Sequence, residues 1–315
     1  MNTRIGLLGG LLAVQALIVA GVLIAGATVT GEAADSLLPF EPAAAQSLEI
    51  ATTDEAVSLV RSDDGWRLDG GLPADDGKVG EVLEKLAKVS AAWPVATSAA
   101  TAERFEVTED NFQRRLVIGS GEGETATLFL GSSPGYRRVH ARAAGADEVY
   151  SIDFSNYEAP ADASQWLDRQ LLRPQGPVAA VSRADAWTLE RGGEDDWLVD
   201  GAPADQEAAG KLIDRFEDLN VLGIAGDEGK PGGSFEVRDE SGEYRLDFFF
   251  AEEEDDYSVS SSRVEGRFEI ATYIAEQMLI DAGDLLPEEE EPDADTEAAG
   301  NGEGQGEAEG GDSEA

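Results

Sequence analysis

The chain has 315 residues, with 65 acids against 23 Lys and Arg, a formal net charge of −42 at pH 7, one histidine and no cysteine. Without cysteine there are no disulfides, thiolate metal sites or cysteine nucleophiles, and so negative a field repels nucleic acid and anionic lipid surfaces. The length suits two domains of about 100–150 residues each. Two causes of the charge compete, an acidic partner-binding surface and a generally acidic proteome from a salty habitat, and acids scattered along the whole chain favour the second.

After Met1-Asn2-Thr3-Arg4, the run from Ile5 to Val29 carries no charge, and Gln15 is its one strongly polar residue. Twenty-odd apolar residues span a hydrocarbon core of about 30 Å as a helix. Arg4 and the α-amino group favour keeping the N-terminus in the cytoplasm and sending the body across. Residues 1–30 are therefore expected to be a transmembrane anchor, with a cleaved signal peptide ending at Ala25-Gly26-Ala27 as the rival reading. No cysteine follows the run, so a lipoprotein anchor is excluded. Residues 31–46 read as a membrane-proximal linker.

A first module is expected over residues 47–172. Ser47–Ala51, Ala56–Arg61 and Gly65–Asp69 are strand candidates, with Asp63-Asp64-Gly65 as a turn. Asp75 is placed to cap a helix on which Val79, Val82, Leu83, Leu86 and Val89 recur at helical spacing. Arg115–Gly119 and Thr125–Leu130 read as a hairpin, Tyr136–Ala141 and Glu148–Ile152 as a second, and Asp162–Leu171 as a closing helix. The second module is expected over residues 177–282. Its strands fall near Val178–Ser182, Ala186–Arg191, Trp197–Val199, Ser234–Arg238, Tyr244–Phe250, Tyr257–Ser261 and Arg267–Ala271. One helix carries Leu212, Ile213, Phe216 and Leu219, and a last one lies near Tyr273–Asp281. Residues 287–315 hold twelve acids, no Lys or Arg and no large apolar side chain. That composition does not repay its ordering entropy, so a disordered tail is expected.

The two modules say nearly the same thing. Leu59 matches Leu189, Arg61 matches Arg191, Trp66 matches Trp197, Asp69-Gly70 matches Asp200-Gly201, and Pro73-Ala74-Asp75 matches Pro203-Ala204-Asp205. A spacing near 130 residues is far longer than the roughly 20–50 of solenoid repeats, so a duplicated domain is the reading. The fold class expected is α+β: two tandem repeats of a mostly antiparallel sheet with an amphipathic helix.

Candidate chemistry is sparse. His140, alternating on a predicted strand, reads as a surface or half-buried residue rather than a triad base or zinc ligand. Gly119-Ser120-Gly121-Glu122-Gly123 looks like a phosphate loop but is followed by a strand, so it reads as a hairpin turn. Glu252-Glu253-Glu254-Asp255-Asp256 lacks the spacing of a calcium loop and reads as a solvated acidic loop. Asp63-Asp64 and Asp195-Asp196 sit adjacent in turns, where a glycosidase pair does not form. Trp66 and Trp197 read as core residues, against an aromatic ligand platform. No catalytic, metal or cofactor-binding residue is assigned.

A strand pair ending D-G-W-R-L, then P-A-D, an amphipathic helix, a hairpin ending L-F-L-G, and R-V-H-A-R followed by V-Y-S-I-D together resemble the bacterial domain of unknown function 4340 family. The resemblance is clearest over Leu48–Leu172 and recurs over Val178–Leu279. It implies an envelope protein with an N-terminal membrane helix and tandem copies, sometimes encoded beside ABC-type exporters, with no established activity. The function expected is a non-enzymatic, single-pass inner-membrane protein whose body faces the periplasm and serves a transport system as accessory or scaffold subunit. A periplasmic binding module for a small molecule or peptide is the alternative, and a hydrolase the third reading.

Overall fold

The computed structural model describes residues 36–287, apart from 92, 122, 124, 194–195 and 252–255. The expected anchor over residues 1–30 and the acidic tail from residue 288 lie outside the described residues. Among the described residues, no helix is long and apolar enough to cross a membrane.

Alternation and turn chemistry in the first half build one antiparallel sheet. Its strands are β1 (Ala45–Ala51), β2 (Ala56–Ser62), β3 (Gly65–Leu68), β4 (Arg114–Ser120), β5 (Thr125–Leu130), β6 (Val139–Ala143) and β7 (Tyr150–Ile152). They lie in the order β3-β2-β1-β4-β5-β6-β7. Helix α1 (Asp76–Ala87) starts where Asp75 accepts the Lys78 N–H, and it buries Val79, Val82, Leu83 and Leu86 as its spacing predicts. A second short helix, α2 (Ala99–Arg104), capped by Ser98, has no counterpart in the sequence reading.

The second half builds another antiparallel sheet from β8 (Ala180–Arg183), β9 (Trp187–Arg191), β10 (Trp197–Val199), β11 (Ala202–Pro203), β12 (Val221–Ile224), β13 (Lys230–Asp239), β14 (Gly242–Ala251), β15 (Asp256–Ser261) and β16 (Arg267–Ile270). Its order is β11-β10-β9-β8-β13-β14-β15-β16-β12. Helices α3 (Gln206–Glu217) and α4 (Thr272–Met278) complete the half. The fold is thus α+β and mostly β. The inner seven strands of this sheet follow the same course as the seven of the first. Even the flanking strands have reduced counterparts there: an isolated Arg67↔Pro73 bridge where β10 meets β11, and an Ala96↔Val149 bridge where β16 meets β12.

The matching motifs have matching contacts. Trp66 N–H is accepted by the Asp76 carboxylate at 2.6 Å, and Trp197 N–H by the Gln206 side-chain oxygen at 2.8 Å. Arg61 lies over the Trp66 ring and reaches the Ala43 carbonyl; Arg191 lies over the Trp197 ring and reaches the Val178 carbonyl. Ala74 and Ala204 are buried under these clasps. Asp75 N–H donates to the Trp166 carbonyl and Asp205 N–H to the Leu285 carbonyl, each within or just after a short 3-10 turn, Ala163–Trp166 and Ala282–Leu285. Trp66 and Trp197 are core residues.

Several expectations need correction. The closing helix over Asp162–Leu171 is only the 3-10 turn Ala163–Trp166, after which Leu167 is extended. Asp162 caps that turn, but Trp166 is drawn into the core, where its indole N–H donates to the Pro160 carbonyl, and Ala74 pairs with Leu167. The expected linker is not free chain over its described part. Leu37 and Leu38 are buried and Leu37 N–H donates to Val89, because two large apolar side chains gain more from the core than from water. The strand expected at Tyr136–Ala141 begins at Val139, with Tyr136 exposed in a turn. The second half continues past residue 282 to Leu285, which is fully buried.

The sheets meet through residues 164–173. Ile224 N–H donates to the Ser164 hydroxyl, and Val221 N–H to the Arg169 carbonyl. Arg173 reaches the Leu219 carbonyl and Asn220. In the second half, Phe235 is the hub of the core, with ring centroids 5.3 Å from Phe216, 5.4 Å from Phe248 and 6.0 Å from Trp187. Phe235→Ala should destabilise the protein by about 3–5 kcal/mol, read as a lowered urea midpoint at unchanged m-value.

Candidate functional site

A cleft of about 450 Å³ opens where the connecting segment crosses the second sheet, lined by Asp168, Gln170 to Gln175, Tyr244, Ser261, Arg263 and Val264, with Pro73 at its rim. Its floor is a buried polar cluster. Asp239, at the end of β13, is fully buried at its side chain and takes a bidentate pair from Arg263 at 2.7 and 2.8 Å. It also accepts the Gln175 N–H at 2.7 Å and both the N–H and hydroxyl of Ser241 at 2.9 Å. The tight Asp239–Gly242 turn, with Gly242 at φ 119°, brings these groups together. A buried carboxylate needs this density of donors to offset its desolvation.

The cluster polarises its neighbours. Arg263, first, holds the Asp239 carboxyl well below the usual carboxylate range, reinforced by the Gln175 and Ser241 donors against burial. The Arg263 guanidinium carbon lies 3.7 Å from the centroid of the Tyr244 ring. Burial pushes the Tyr244 hydroxyl upward, so it stays neutral at physiological pH. That hydroxyl is buried without a hydrogen-bond partner, although it is able both to donate and to accept. The cleft wall therefore holds an aromatic ring and a cation held by a carboxylate, with the neutral Tyr244 hydroxyl buried behind them. Among the described residues, no nucleophile and base are paired in the cleft.

The residues singled out in the sequence do not converge on this cleft. His140 is buried in β6, stacked on Phe105 with centroids 3.9 Å apart. Its Nδ1 lies 2.8 Å from the Ser132 carbonyl, which only accepts, so Nδ1 carries the proton. The Ser132 hydroxyl at 3.2 Å is then not presented with a base. Burial lowers the imidazole pKa and keeps the ring neutral. Gly119 and Ser120 end β4, and Gly119 pairs with Thr125 of β5 across an antiparallel hairpin. Asp64 pairs at 3.6 Å with Arg67 on the surface. Asp195 and residues 252–255 lie outside the described residues. Among the described residues, no group of three or more His, Asp or Glu is placed to hold a metal ion. Sequence reasoning passed over Asp239, Tyr244 and Arg263, whose spacing resembles no motif.

A larger hollow, about 1470 Å³, is a groove beside Ser36–Gln46, walled by Ile118, Gly119, Gly121, Ala126 and Ala143. It carries no charged side chain except Glu41.

Two outcomes follow for the cluster. Arg263→Met should cost about 3–5 kcal/mol by stranding a buried carboxylate, while Arg263→Met combined with Asp239→Leu should recover much of the loss; urea unfolding of the three proteins compares them. Because the Asp239 pKa is depressed on folding, its contribution is complete above the unfolded value of about 3.9 and fades as pH falls below it. The double variant should accordingly lose less stability than the unsubstituted protein between pH 5 and about pH 2, measured by thermal melts across that range.

Comparison with known proteins adds one relation. The family model described as Domain of unknown function (DUF4340) matches residues 66–247, from Trp66 in the first sheet to Asp247 in the second. No curated protein and no solved structure matches the chain.

Proposed function

Because the chain belongs to the family of the domain of unknown function DUF4340, whose description assigns no activity, we propose a role from its architecture: an exported, membrane-tethered accessory or scaffold subunit of an envelope transport system. The observation that carries this reading is the repetition of one strand order, with its Trp clasp and helix cap, in both sheets. We infer that the halves are tandem copies of one module. Duplication of a module whose shared residues are core and cap residues preserves a shape, not a reacting group. The uncharged run from Ile5 to Val29 supplies the tether. Trp93, Tyr136, Tyr157 and Tyr273 stand more than half exposed on the body, the residue types that anchor protein contacts. ABC-type transporter subunits are the partners proposed, with the body in the periplasm.

The test is purification of the full chain from membranes in a mild detergent after crosslinking in the cells that make it. Co-elution with a permease or ATPase is the expected result. A chain that fractionates with the cytosol, or elutes alone after crosslinking, overturns the reading.

A second reading, a small-molecule binding module, draws on one observation: the Tyr244 hydroxyl, buried without a hydrogen-bond partner beside the cleft. Tyr244→Phe should leave the free protein as stable or raise it by about 1 kcal/mol, since it removes an unsatisfied buried group. If the cleft binds a ligand, that substitution should also abolish a ligand-dependent rise in melting temperature; a screen of polar envelope metabolites that shifts neither protein sinks the binding reading.

A further inference from the structure

The outer edges of the two sheets differ at one place. In the second sheet, β12 follows α3 directly and pairs along β16, Val221 with Ile270, Gly223 with Glu269 and Ile224 with Phe268. In the first, Tyr150-Ser151-Ile152 of β7 faces β6 in the register that Phe268-Glu269-Ile270 of β16 keeps with β15. The chain leaving α1 does not lie along it. Val89 and Ser90 are instead paired with Leu37 and Ser36, and the chain returns to the sheet only where Val95 and Ala96 bond Val149. Among the described residues, the stretch of β7 beyond Val149 is thus an edge that the second sheet covers and the first does not.

The polarity of that edge follows from its partners. His140 N–H and C=O bond Ser132 and Gly131, on the side away from β7. Ser151 sits opposite His140, so its own N–H and C=O point outward. Arg138 donates to the Ser151 carbonyl and, at 2.9 Å, to its hydroxyl, while the Ser151 N–H faces the gap. A hollow of about 470 Å³ fills the gap, lined by Lys85, Lys88, Trp93, Arg138, Tyr150 and Asp153 among others. Lys85 is paired with Glu158 and lies over the Phe154 ring, which leaves Lys88 and Arg138 facing Asp153, still the reverse of a chain with 65 acids and 23 cations. Lys88 is held only by an exposed pair with Glu84, and such pairs contribute little. Trp93, 85% exposed, forms one wall.

The geometry points to β-strand addition: an extended segment of a partner protein, alternating acidic and apolar side chains, lies along β7 where β12 lies along β16. Ser151 N–H and C=O supply the ladder, Lys88 and Arg138 meet the carboxylates, and Trp93 and Tyr150 meet the apolar side chains. The carbonyl keeps a second lone pair for the incoming N–H beside Arg138. β12 itself shows what such a strand looks like, with Val221 buried and Leu222 exposed. The tail from residue 288 shares the acidity but has no large apolar residue to set against Trp93, which favours a separate polypeptide.

This rests on the accessory-subunit reading and names its contact. The test places a photoreactive phenylalanine at position 93 of the full chain in its own cells and maps the adduct by mass spectrometry. The expected adduct is an acidic, alternately apolar stretch of a different polypeptide. Ser151→Pro should reduce it at least tenfold, since its N–H faces outward and proline is tolerated at such an edge position, whereas Ser151→Ala should leave it unchanged. Lys88→Glu, on the exposed face of α1, should weaken it several-fold and covers the case in which the proline variant does not fold. An adduct in the tail, in a second copy or in a helical stretch, an adduct indifferent to both variants, or none at all overturns strand addition. Co-elution with transporter subunits without this adduct defeats the edge site alone; the adduct formed with a cytosolic protein defeats the envelope role alone.

Discussion

Each half of this protein depends on one short link, the tie between the first turn of its long helix and the strand that bears its Trp. A helix N-terminus has unbonded N–H groups, and a short outer strand has few ladder bonds of its own. Placing Asp75-Asp76 or Asp205-Gln206 at that point serves both needs. The first residue caps the helix and the second takes the Trp N–H. The link sets the height and direction of the helix over the sheet, so that Val82, Leu83 and Leu86, or Leu212, Ile213 and Phe216, meet the inner faces of the strands. The Asp and the Gln solve the same problem with different chemistry, because the Trp N–H needs only an acceptor.

The extreme charge coexists with this architecture because almost none of it is inside. Among the described residues, Asp239 is the one charged residue in the core, and its donors come from the connecting segment, the β13–β14 turn and the loop after β15. The connecting segment is therefore fastened to the second half by a charge pair, beside the apolar core that runs through both halves. The connecting segment serves both sides at once. Trp166 receives the cap N–H of the first helix, while Ser164 and Arg169 receive the edge of the second sheet.

How much of this was legible in the sequence follows the range of each interaction. The Trp strand, the Pro-Ala-Asp turn and the helix that follows are local, and D-G-W with P-A-D at a fixed spacing marks them twice. The hairpins were readable for the same reason. The strand β12 was not, since Val221-Leu222-Gly223-Ile224 is too short to show a period and follows the helix with only a three-residue break. The Asp162–Leu171 stretch looked helical because Trp166, Leu167 and Leu171 fall near helical spacing, yet its backbone is spent on two partners outside itself. Asp239, Tyr244 and Arg263 are joined by tertiary packing across a hairpin and a loop, and no pattern in one dimension announces them. The uncovered edge of β7 becomes visible only when one sheet is laid against the other.

The chain's route into the body has a mechanical meaning. From Leu37 and Leu38, packed in the core, it runs through a 3-10 turn at Pro42–Ala44 straight into β1, which lies between β2 and β4 in the interior of the first sheet. Tension arriving from the N-terminal side would be taken up by two ladders sheared together, whereas a strand at the rim would peel away one bond at a time. A body held by an inner strand keeps its shape under a pull that would unravel the same sheet gripped at its margin.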